Sequence, residues 1–231
     1  MFGISLSIVL VTLFYMILGF VIRKMNKASE THLQTLSGIL IYICNPFLEI
    51  SAFMSLDFSV SETIEMLKFF IVSFFLQSIF MLILYLILRR KYSESKYRLL
   101  TIASVLGNVG FFGMPITRAL LPDNPEVACY CAVNMVTMNI LIFTVGVFCL
   151  TNNKKYISVK SALFNPTIFG FVIALPFYVF GIKNILPDTF IGAINTIADI
   201  STPLCMFILG IRLASVKLKS VFSKKSIAVS R

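Results

Sequence analysis

The sequence holds a single histidine, His32, and no CxxC pair, with Cys129-x-Cys131 the one spacing that could bind a metal or pair. His32 stands at the entrance of an apolar run, where a solvated loop position is expected. The five cysteines (Cys44, Cys129, Cys131, Cys149 and Cys205) lie in or at the edges of apolar runs, as small packing residues do. No nucleophile with a base, serine–lysine pair or aspartate pair can be assembled, so neither an intramembrane enzyme nor a metal or other cofactor is expected. Charge is scarce as well. Asp, Glu, Lys and Arg make up 13% of the residues, against about a quarter in soluble domains, which excludes a single water-soluble core. A basic region ahead of the first apolar run is also missing, and Arg23 and Lys24 come after it. That run is expected to be a retained anchor and not a cleaved signal.

What is present is hydrocarbon. The chain of 231 residues is 58% hydrophobic with 23 phenylalanines, and its mean hydropathy is +0.93. Runs long enough to cross roughly 30 Å of lipid fall at 4–22, 34–56, 66–88, 98–120, 127–150, 163–182 and 190–212. The expectation is an all-α polytopic membrane protein of about seven transmembrane helices, embedded in the cell (plasma) membrane. Of the 20 Lys and Arg residues, all but Lys68, Arg118 and Lys183 lie in alternate loops and in the C-terminal tail. By the positive-inside rule the N-terminus is outside and the tail is cytoplasmic. The net charge of +10 therefore reads as topology, with no nucleic-acid partner.

Polar residues interrupt three runs near their centres. Asn45-Pro46 stands in the second with Glu49 one turn later, and Thr202-Pro203 stands in the seventh with Asp199 one turn earlier. The fourth carries Gly107-Asn108-Val109-Gly110-Phe111-Phe112-Gly113-Met114-Pro115. A proline removes a backbone donor and clashes with the carbonyl four residues back. In lipid, irregular backbone survives only against protein or a water-filled cavity. A small face for close helix approach explains the glycines, but not Asn108 or Pro115. A discontinuous helix lining a polar site, its half-helix ends suited to an anion, accounts for all of them. Glu49 and Asp199 are the acidic residues well inside runs, and each is expected to face a cavity or a partner. The alternatives are a neutral side chain or, for Glu49, one that snorkels to the outer surface. Asn134 and Asn139 either line the same cavity or cross-link helices.

The string GNVGFFGMPI resembles the fourth-helix signature of the auxin efflux carrier family, which includes bacterial membrane transport proteins of the permease type. CNPFLEISAF, NPTIFGFVIAL and TPLCMFILGIRLA resemble that family's second, sixth and seventh helices. The resemblance implies ten helices in two inverted five-helix repeats whose broken helices cross near the substrate. On that pattern 1–150 is the first repeat with crossover helix 98–120, 163–212 supplies two helices of the second, and 213–231 is a basic tail. The last three helices of the family pattern are not found in this chain. The implied function is secondary transport of small organic anions, coupled to protons or sodium. Asn108, Gly110, Gly113 and Pro115 would form the crossover, flanked by Asn45, Pro46, Thr202 and Pro203, with Asp199 or Glu49 as ion-coupling residues. The alternative is a non-transporting remnant, a ligand-binding sensor, or a subunit completed by a second copy or a complementary chain.

Overall fold

The computed structural model describes residues 2–151, 153, 155, 160 and 164–216. Lys154, Leu163 and the tail lysines and arginine from Lys217 to Arg231 lie outside the described residues, so the expected basic tail and one cation of the charge map do too. Helix α1, Phe2–Lys24, is apolar throughout and ends on Arg23 and Lys24. Asn26, at φ 56°, turns the chain into α2, Glu30–Met54. His32 is the third residue of α2 and not part of a loop. Its Nδ1 accepts from the Ser29 N–H (3.0 Å), closing a capping box that satisfies one of the free donors of the first turn.

Ahead of Pro46, α2 widens into a π turn over Leu40–Cys44, which accommodates the missing proline donor. Helix α3, Val60–Lys91, starts on Ser59, whose Oγ accepts from the Glu62 N–H. The fourth apolar run is broken, as its glycines, asparagine and proline foretold. Helix α4, Ser95–Ala103, stops, irregular backbone follows, and a π turn over Val109–Gly113 leads into α5, Met114–Leu120. Helix α6 runs Glu126–Thr151 and α8 runs Asp188–Ser215. Between them α7, Pro166–Val179, begins where Asn165 Oδ1 accepts from the Ile168 N–H (3.0 Å). Among the described residues five helices (α1, α2, α3, α6 and α8) are long and apolar enough to cross a membrane. The broken segment and the shorter α7 complete a polytopic all-helical protein.

One break expected from sequence is absent. Pro203 lies inside α8, yet the helix continues to Ser215. A proline withdraws one ladder bond from the carbonyl four residues back, here Asp199, while the bonds of the surrounding turns remain.

Helix α1 packs along α8, α2 lies between α7 and α8, and α3 packs on α6. The largest buried cluster joins Leu48 and Phe53 of α2 to Ala132 of α6 and Ala174 of α7. Outside it, Phe14 and Ile17 of α1 and Phe75 and Ile83 of α3 are exposed, as faces turned to acyl chains must be. Asn134 is a cross-link. Its Oδ1 accepts from Ser73 Oγ (3.0 Å) and Gln77 Nε2 (2.7 Å), tying α6 to α3. Asn139 instead donates to the Met135 carbonyl in its own helix.

Tyr178 staples α7 to the start of α3. Its hydroxyl accepts from the Ser59 N–H (3.1 Å) and donates to the Ser59 carbonyl (3.1 Å). Tyr178→Phe takes this acceptor from the Ser59 N–H, while the Ser59 carbonyl keeps its bonds from Thr63, and it is expected to destabilise the fold by about 1 kcal/mol. An unfolding midpoint equal to that of the parent would show that the staple contributes nothing.

Candidate functional site

The site is built where α5 meets α8. Asn108 prepares the broken backbone: its Oδ1 accepts from the Phe111 N–H (3.2 Å), and its Nδ2 reaches Cys205 Sγ of α8 (3.7 Å). The Gly113 N–H donates back to the Asn108 carbonyl (3.0 Å). Gly110 is buried against the end of the Met135 side chain of α6, which would have to move to admit a Cβ. These contacts hold α5 so that Pro115 faces a cavity of about 560 Å³, whose far wall carries Asp199, Thr202 and Pro203 of α8. Thr12 and Tyr15 of α1 close one side. A second cavity of about 500 Å³ adjoins it, lined by Ser51, Lys183, Asn195 and again Asp199.

The structure thus brings together Pro115, Thr202, Pro203 and Asp199, with Asn108, Gly110 and Gly113 shaping the approach. Asn45, Pro46 and Glu49 lie elsewhere, on the side of α2 that faces α7. Asn45 Nδ2 donates to Glu49 Oε1 (3.3 Å) and to Thr167 Oγ1 of α7 (3.1 Å). Pro46, Asn165, Pro166 and Gly170 line a separate cavity of about 540 Å³. Glu49 is 0% exposed, so it does not snorkel. Its Oε2 has no hydrogen-bond partner and sits against Gly170. The Cys44 carbonyl, next to the α2 break, accepts from Ser201 Oγ of α8 (3.3 Å), so α2 is held on both flanks.

One residue escaped the sequence reading. Arg118, which the charge map set aside with Lys68 and Lys183 as a cation of the other side, lines both of the adjoining cavities together with Asp199. The signal was available: Arg118 is three residues after Pro115 and therefore shares its helix face. Arg118 and Asp199 attract each other without closing an ion pair. Among the described residues ion pairs form elsewhere, at Lys68–Glu65, Lys183–Asp57 and Arg212–Glu30. No group of metal-ligating side chains occurs among the described residues, and the five cysteines are free and buried.

A helical membrane protein whose broken helix opens on a cavity that carries Arg118, Asp199 and Thr202 has the layout in which membrane carriers place their sites. Residues 4–162 match the model of the family described as Membrane transport protein. The chain belongs to this family, the one that its fourth-helix signature resembles. It is 30% identical over 225 residues to an uncharacterized transporter of Methanocaldococcus jannaschii, covering 94% of this chain and 71% of that protein. It is 25% identical over 213 residues to an uncharacterized transporter of Methanothermobacter thermautotrophicus, covering 90% of this chain and 68% of that one.

Proposed function

We propose that the protein is a secondary transporter of small organic anions across the cytoplasmic membrane, with its N-terminus outside. The observation that carries this reading is the meeting of Pro115 with Thr202, Pro203 and Asp199 around one cavity. Backbone interrupted within a membrane is tolerated where it borders a water-filled path, and here the interruption borders a cavity large enough for a small acid. Residues 1–150 form one repeat and 163–212 begin an inverted second. Asp199, exposed inside the cavity, and Glu49, buried in α2 on the side that faces α7, are the residues proposed to couple flux to a proton or sodium gradient.

The test is Asn108→Ala in proteoliposomes. Loss of the amide removes the Phe111 cap and the contact with Cys205, so uptake of a radiolabelled organic acid is expected to fall about tenfold, a loss equivalent to about 1.4 kcal/mol. The amount of inserted protein should not change. Full uptake by this variant would detach transport from the broken helix.

A further inference from the structure

We propose that Arg118 is the anchor for the carboxylate of the transported anion, and that Asp199 is the counter-charge which that carboxylate displaces. The inference rests on the transporter reading for its setting, but its evidence is the side chain itself. Arg118 stands at the confluence of the two cavities, one turn beyond the break at Pro115. Its guanidinium makes no hydrogen bond and no ion pair among the described residues. The other cation lining these walls, Lys183, is already engaged by Asp57 (2.8 Å). The polar wall is similarly occupied, since Ser51 Oγ donates to Asn195 Oδ1 (2.8 Å).

Arginine stays charged and presents five donors in a planar fork. Held partly out of water, such a group calls for a planar acceptor that takes two parallel bonds, and a carboxylate matches that fork. Two thiols, Cys129 and Cys131 of α6, are the other titratable groups acting on Arg118 besides Asp199. Asp199 already offsets one positive charge, so the pair together is close to neutral. A monovalent carboxylate at the guanidinium adds one negative charge to that pair, whereas a phosphate dianion adds two. The same geometry makes Asp199 a competitor: it lies close enough to attract Arg118, yet leaves the fork open.

Opposite effects of the two variants distinguish an anchor from a structural arginine. With the full chain in nanodiscs, sodium acetate, benzoate and succinate are tested for thermal stabilisation beside sodium phosphate. The wild type is expected to be stabilised by a carboxylate and not by phosphate. Arg118→Gln should weaken that binding at least about tenfold, Arg118→Lys should restore part of it, and Asp199→Asn should tighten it severalfold. Benzoate should also slow modification of Arg118 by phenylglyoxal, read by peptide mass, which needs no variant to fold. Wild-type affinity in Arg118→Gln would overturn the anchor while leaving transport standing, because Asn108→Ala tests the latter separately. Stabilisation by phosphate alone would overturn the carboxylate assignment. No stabilisation and no protection with any of the carboxylates would overturn the proposal outright, and organic-acid flux by the wild type would then still support the transporter reading.

Discussion

Replacing Gly210 with alanine is expected to lower the unfolding midpoint sharply and to push α1 away from α8. A Cβ at Gly210 would lie 2.0 Å from the Met16 carbonyl oxygen and 2.8 Å from the Phe20 nitrogen, both main-chain atoms of α1. The contact is reciprocal: a Cβ at Gly19 would lie 2.3 Å from the Phe207 carbonyl oxygen of α8. The two backbones therefore touch at this crossing, the arrangement that lets membrane helices associate through van der Waals contact when no hydrophobic force drives them together. Overpacking typically costs about 1–3 kcal/mol. The upper part of that range is expected, because main chain cannot swing aside as a side chain does. Tyr15 and Thr12 of α1 wall the cavity, so displacing the helix opens the site as well. Gly19→Ala acts on the same crossing, and the double variant should be less damaging than the sum of the two. Gly192 of α8 has nothing within 4 Å and serves as the control, its alanine variant neutral or slightly stabilising. The chain has no tryptophan, but its five buried cysteines make a thiol-reactive dye a direct reporter of unfolding. Equal midpoints for the Gly210 and Gly192 variants would refute the close crossing.

That crossing was not legible in the sequence, and the reason is physical. In a water-soluble helix the buried face differs in composition from the exposed one, but here lipid and protein interior are both apolar. Phe14 faces outward and Phe53 is buried, with no difference in residue type to tell them apart. Length and hydropathy therefore located α1, α2, α3, α6 and α8 to within a few residues, yet were silent on which faces meet. Polar residues were easy to find for the same reason, since each stands out against hydrocarbon. Their grouping was harder. Asn45 and Pro46 were expected beside the crossover, but α2 turns them, with Glu49, toward α7, where Thr167 accepts from Asn45. Asn108 to Pro115 carried more information because three glycines, an amide and a proline within nine residues oppose a continuous helix. Thr202-Pro203 offered one proline alone, and α8 absorbs it. Arg118 was hidden by its place near the end of a run, where a cation reads as topology.

The second large effect is expected at that α2–α7 contact. A Cβ at Gly170 would stand 2.5 Å from Glu49 Oε2, 2.6 Å from the Pro46 Cα and 3.1 Å from its Cβ. The first obstacle is a side chain and the second is backbone fixed by the proline ring. Gly170→Ala should therefore destabilise by about 1–3 kcal/mol, and removing the carboxylate should recover only part of that loss. Glu49→Ala by itself is expected to change the midpoint little. It leaves a small void, but it also removes a buried oxygen with no partner, and such an oxygen carries its own desolvation cost of about 1–3 kcal/mol. Asn45 keeps its bond to Thr167 in that variant. The double variant should consequently be more stable than additivity predicts, with the surplus measuring the Glu49 contact and the remaining deficit measuring Pro46. Additive losses would mean that Glu49 gives way freely and that the backbone contact alone sets the spacing. The functional readout separates this contact from the cavity at Arg118. Gly170 and Glu49 line neither wall of that cavity, so Gly170→Ala should leave carboxylate binding intact while transport falls. Binding and transport lost together would show that the spacing of α7 on α2 also shapes the anion site.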